Sequence, residues 1–144
     1  MDDITLRSAV YKGTKLLKLQ DTPTAKATGF NAAADDYMER AIDLNEHLIK
    51  NKPATYFFRM QSDAMIDAGI NPGDILVVDR SLSAISGKII VAALDGELVV
   101  RRYQQVMNTT SLIAENKRYS VIQVSELTNC RTWGVVTYVI HTVS

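Results

Sequence analysis

Two stretches hold residue types that could do chemistry. The first, RMQSDAMIDAGINPGDILVVDR from Arg59 to Arg80, sets Ser62 and Asp63 in a short polar turn between an aromatic-rich run and an apolar one. A serine there acts as a nucleophile only if a base lies within hydrogen-bond reach, about 3 Å. The second, Val99-Val100-Arg101-Arg102, reads as a strand, and strand alternation puts one guanidinium on each face. His47, His141 and the single Cys130 have no paired ligand spacing, so no metal site is expected. Neither a G-x-G-x-x-G nor a Walker loop occurs, and no cofactor is expected. The pairs Asp2–Asp3 and Asp35–Asp36 read as solvated or capping charges, Lys88 as an exposed edge charge and Cys130 as a packing residue.

These groups sit on elements that the rest of the chain encodes. At 144 residues the length suits one domain, and an apolar fraction of 47% is enough for a core. Asn31 to Pro53, NAAADDYMERAIDLNEHLIKNKP, is expected to be a helix. Asn31 would be its N-cap, Tyr37, Ala41, Leu44 and Leu48 its apolar stripe, and Pro53 its end. Thereafter the pattern is β: ATYFFRM, ILVVD, KIIVAALDGELVVRRY with Asp95-Gly96 as a hairpin turn, TSLIAE, YSVIQV and CRTWGVVTYVIHTV with a bulge or kink at Gly134. Asn71-Pro72-Gly73-Asp74 carries type II turn chemistry. Many short strands with frequent turns indicate a mostly β, folded-over antiparallel domain over 31–144, with one N-terminal helix. Residues 1–30 lack a helical or strand period and read as an extended N-terminal arm. Ile4, Leu6, Val10, Leu16, Leu17 and Leu19 could dock it, and residues 1–12 stay open between docked arm and loose tail.

Sixteen basic and sixteen acidic residues cancel, which removes any long-range pull toward DNA or anionic membrane and suits protein partners. No apolar run is long enough to span a bilayer, and the N-terminus lacks the apolar core of a signal peptide. With one cysteine, a reducing cytoplasm is the expected location.

The stretch from Ala27 to Tyr103 resembles the UmuD proteins of the SOS response, within the LexA/UmuD family of self-cleaving Ser-Lys peptidases. The D-Y-M-E-R-A-I-D-L-N segment, the P-A-T-Y-F run and an N-terminal region too short for a helix-turn-helix domain favour UmuD over LexA. The resemblance implies a LexA C-terminal/UmuD fold and a serine in the turn after the first strand. It also implies a lysine base after the D-G-E hairpin and a cut bond ahead of the helix. A lysine can serve because burial lets a neutral amine exist near neutral pH.

Carried over by position, the nucleophile falls on Ala64, the general base on Arg101 and the cut bond on Thr28–Gly29. Alanine has no nucleophile, and arginine keeps its proton in proteins. Threonine at 28 is β-branched and departs from the family's pattern. One Ser→Ala change would suffice to disable such a site. Three departures together favour a naturally inactive relative, because the parts act as a unit. An Ala64 introduced in place of a native serine stays an alternative.

The implied function is that of an SOS accessory protein in DNA repair and mutagenesis, a pseudoenzyme unable to cut itself. It would form a homodimer that serves a Y-family translesion polymerase (polymerase V) through its catalytic subunit, and would bind the RecA filament. Two alternatives stand beside it: an active Ser-Lys autoprotease with a dyad placed elsewhere, and a regulator forming mixed dimers with LexA- or UmuD-like partners. Ser62 is a poor substitute nucleophile, since two residues of extended chain separate it from position 64 by roughly 6–7 Å.

Overall fold

The computed structural model describes residues 2–8 and 41–143. Nine elements matter for the site: β1 (Ile4–Ser8), α1 (Leu44–Leu48), β2 (Thr55–Met60), β3 (Ile75–Asp79), β4 (Ile89–Leu94), β5 (Glu97–Val106), β6 (Thr109–Ile113), β7 (Ile122–Val124) and β8 (Cys130–Ile140). The strands form one sheet in the order β1-β2-β3-β8-β4-β5-β6-β7, and every pairing is antiparallel. The fold is therefore mostly β and of the folded-over antiparallel kind expected from the sequence. The last strand lies in the middle and joins two meanders. One runs β1-β2-β3, the other β4-β5-β6-β7.

Local chemistry accounts for the elements. Aromatic residues fill β2, where Thr55, Phe58 and Met60 are buried. Asp95 and Gly96 both have positive φ, 51° and 87°, and join Leu94 to Glu97 in a two-residue hairpin. Gly73 takes φ 99° in the Asn71–Asp74 turn, which the Asp74 N–H closes onto the Asn71 carbonyl at 3.0 Å. β8 is bulged twice, once against Val77–Val78 and once against Val91–Ala92 next to Gly134. A Cβ at Gly134 would stand 2.7 Å from Val78 Cγ1 and 3.3 Å from the Asp79 carbonyl oxygen. Gly134→Ala is accordingly expected to cost about 1–3 kcal/mol by overpacking. A lower urea midpoint at unchanged slope would report it.

The helix differs from its expectation. Residues 31–40, with the Asn31 cap, lie outside the described residues, and Ala41–Asp43 is not helical. Among the described residues helix begins at Leu44, where the Asp43 carboxylate caps it by accepting from the N–H groups of Asn45 and Glu46. Ile42 and Leu44 are exposed, so the expected apolar stripe does not face the core here.

The sheet folds over where β1 begins. β6 pairs only with Arg102–Val106 of β5. Along the preceding half of β5, Asp2 and Asp3 supply the partners. The Asp3 N–H donates to the Leu98 carbonyl at 2.8 Å, and the Leu98 N–H donates to Asp2 Oδ1 at 2.9 Å. The core under this closure gathers Ile4, Phe58, Met60, Ala64, Met65, Leu76, Val91 and Val100. Ile90, Ala92, Val99, Leu112 and Val135 make a second cluster.

Candidate functional site

Ala64 sits in the turn that leaves β2. Its N–H reaches Ser62 Oγ at 3.3 Å, so that hydroxyl accepts from the turn's own backbone. Past Met65 the chain makes one 3-10 turn, Ile66–Ala68, ended by Gly69 at φ 87°. Ala64 and Met65 are fully buried. The methyl group of Ala64 packs in the same cluster as Val100 of β5, so the turn and the strand share one core.

The segment Glu115–Tyr119, between β6 and β7, is laced to this turn. Asn116 Nδ2 donates to the Asp63 carbonyl at 2.8 Å, the Tyr119 hydroxyl donates to Asp63 Oδ1 at 2.7 Å, and the Asp67 N–H donates to the Glu115 carbonyl at 2.8 Å. Arg118 adds a looser ion pair to Asp63 at 3.6 Å. The bond to the Asp63 carboxylate, followed by burial and the nearby charges of Asp63 and Asp3, pushes the Tyr119 phenol above its ordinary value. The phenol is thus held protonated and does not serve as a base.

Arg101 is buried, 6% exposed. Its Nη1 donates to Asp3 Oδ2 at 2.7 Å and to the Val100 carbonyl at 2.8 Å. The same Asp3 oxygen accepts the Val100 N–H at 2.9 Å, and the Asp3 carbonyl accepts the Gln61 N–H at 2.7 Å. Asp3 therefore touches both walls, β5 and the chain leaving β2. The Tyr119 ring lies 5.3 Å from the guanidinium carbon. Arg101 Nε is buried without a hydrogen-bond partner. Arg102 takes a different carboxylate, Glu115, at 2.6 Å and half-exposed.

The environment of Asp3 differs from its expectation. Asp3 is neither solvated nor a cap: its side chain is 8% exposed and forms a buried ion pair. A guanidinium enclosed on β5 requires an opposite charge, and the strand Ile4–Ser8 delivers one. Sequence reasoning also passed over Tyr119, Asn116 and Glu115. The available signal was that an arginine between Val100 and Tyr103 on a buried strand must find a carboxylate somewhere.

Ala64 and Arg101 are thus brought to one region, whereas Thr28 and Gly29 lie outside the described residues. Among the described residues no group of three His, Cys, Asp or Glu side chains could hold a metal ion. Nor is any helix among them long and apolar enough to cross a membrane. Among the described residues the arrangement holds a guanidinium paired with a carboxylate beside a closed turn. Tyr119→Phe is expected to cost about 1.5 kcal/mol, the low end for a bond to a charged acceptor. The raised phenol pKa sets the sign of its pH dependence. The wild-type advantage should be full below about pH 10, the ordinary value, and fade as pH rises through the folded value. Denaturant melts of both proteins from pH 8 to 11 would show the two curves converging.

Comparison with known proteins gives concordant matches. A family profile described as Peptidase S24-like matches residues 22–137. Protein SamA of Salmonella typhimurium is 37% identical over 113 residues, 78% of each chain. Protein MucA of Escherichia coli is 35% identical over 113 residues, 78% of this chain and 77% of its own. The LexA repressor of Alcanivorax borkumensis is 36% identical over 98 residues, 68% of this chain and 48% of the repressor.

Proposed function

The chain belongs to the Peptidase S24-like family as a UmuD-like member of its LexA/UmuD group, and from that premise we propose that it works by docking rather than by cutting a peptide bond. In this reading it is an SOS accessory protein of the cytoplasm. It forms a homodimer and serves as the regulatory subunit of an error-prone Y-family translesion polymerase, with the RecA filament as a second partner. Ala64 stands at the nucleophile position, Arg101 at the general-base position, and Thr28–Gly29 at a bond that stays uncut. Residues 1–30 remain attached as an arm whose first strand is β1.

A single observation carries the reading. Arg101 is held in a buried ion pair with Asp3 while the Ala64 methyl is closed to solvent, which supports reading these two positions as supplying neither base nor nucleophile. Peptide cleavage by a Ser-Lys pair needs the hydroxyl proton to pass to a neutral amine as oxygen attacks the carbonyl carbon. A guanidinium that keeps its own proton has no lone pair to receive another. Balanced charge over the chain supports protein partners over DNA.

Co-purification tests the docking half. The full chain is expected to elute as a dimer and to retain the catalytic subunit of a translesion polymerase on an affinity column. A monomer that retains no polymerase subunit would contradict it.

A further inference from the structure

The space between the Ala64 turn and β5, a slot in which an extended peptide could lie, is occupied by the chain itself. The slot is bounded by Gln61, at the start of the Ala64 turn, and by Leu98 and Val100 on β5. Asp2 and Asp3 lie in it, with one main-chain hydrogen bond to each side, Asp3 N–H to the Leu98 carbonyl and Gln61 N–H to the Asp3 carbonyl, and two more in which their carboxylates accept from Leu98 and Val100. Asp3 enters with its carbonyl toward Gln61 and its carboxylate on Arg101 and the Val100 N–H. Both side chains of the ion pair are 8% exposed, so solvent screens the contact little. This is an occupied site, with a charge complement matched to residue 101.

We propose that strand β1 is a built-in lock on this site, in which Asp3 fixes a positive charge at position 101 and fills the slot an extended substrate segment would need. The inference rests on the assignment of positions 64 and 101 given above and adds Asp3 as the residue controlling their chemistry. Its consequence is specific. Replacing Ala64 by serine and Arg101 by lysine restores the atoms of a dyad but not its function near neutral pH. A carboxylate 2.7 Å from the cation at this position keeps the introduced amine protonated. The other groups around position 101 do not offset this. Tyr119 faces it as a neutral phenol, and Asp63, behind Tyr119, is a further negative charge that favours the cation. Arg118 meets Asp63 from the exposed side, and Arg102 is engaged by Glu115.

The test compares two full-length proteins: Ala64→Ser with Arg101→Lys, and the same pair with Asp3→Asn added. Asparagine keeps an oxygen that can accept the Val100 N–H, which preserves the seat of β1. Lysine labelled at its ε-carbon is followed by NMR across pH, and the resonance absent from the Arg101 parent reports the introduced amine. The expected result is a titration midpoint lower by about 1–3 pH units when Asp3 is replaced. Scission ahead of the helix, read by mass, should then rise about tenfold at neutral pH for each pH unit gained. Equal midpoints in the two proteins would overturn the lock, whatever the cleavage shows. A lowered midpoint without scission in either protein at any pH would sustain the lock and count instead against positions 64 and 101 as the dyad.

Discussion

Asp3→Ala should lower the unfolding free energy by about 3–5 kcal/mol, because it strands a buried guanidinium without its counter-charge. The size of the effect follows from enclosure. Both side chains of the Asp3–Arg101 pair are nearly closed to water, and the alanine also orphans the Val100 N–H that Asp3 Oδ2 accepts. The intact pair is not expected to be a large net source of stability. Desolvation of two charges offsets most of their attraction, and Arg101 Nε is already unpartnered. Hence Asp3→Asn combined with Arg101→Met should fall within about 1 kcal/mol of wild type, since both charges leave together and an acceptor for Val100 remains. Denaturant unfolding of the two single variants and the double variant gives a coupling energy. Additive single effects would mean that the pair does not act as a unit.

Phe58→Ala is expected to cost a similar amount, about 3–5 kcal/mol, by a different route. Phe58 is 2% exposed at the centre of β2, between its partners β1 and β3. Its ring meets Trp133 edge-on, with centroids 5.2 Å apart, and Tyr56 meets the same indole at 5.0 Å. Trp133 sits in the bulge of β8 and is covered on one face by Arg80, 4.1 Å from the ring. Removing Phe58 thus opens a cavity at the point where the first meander, the central strand and the closure by β1 converge. Loss of ring-current shifts at Trp133, together with the lowered unfolding midpoint, would distinguish this from damage at the surface.

What the sequence made legible was local. Asp95-Gly96 forces a tight turn, Asn71–Asp74 another, and the aromatic run at Thr55–Met60 has no better use than a strand. Among the described residues the helix is shorter than its spacing suggests: Ala41, Leu44 and Leu48 share a helical period, but Asp43 acts as the cap and helix runs only over Leu44–Leu48. β1 was hidden for the opposite reason. Five residues of mixed character carry little period, and their partners Met60 to Phe57 lie more than forty positions away along the chain. The site divided in the same way. Ala64 and Arg101 are singled out by the resemblance to the UmuD proteins, but nothing local tells that Arg101 will meet Asp3, 98 positions earlier. Long-range charge pairing of this sort leaves no periodic trace; only the need of a buried cation for an acid hints at it.

The buried Asp3–Arg101 pair bears on how the N-terminal residues would be used in the proposed reading. In a cutting enzyme the amine must be neutral when the peptide arrives. Here the cation is permanent, and the chain's own N-terminal residues lie against it. Under the proposed docking role, partner surfaces elsewhere on the sheet would not depend on that chemistry.

The intact mass of the purified full chain, followed over hours with RecA filament and nucleotide, tests the central claim most directly. An unchanged mass at every time point is the predicted result. Fragments that part between Thr28 and Gly29 would contradict it.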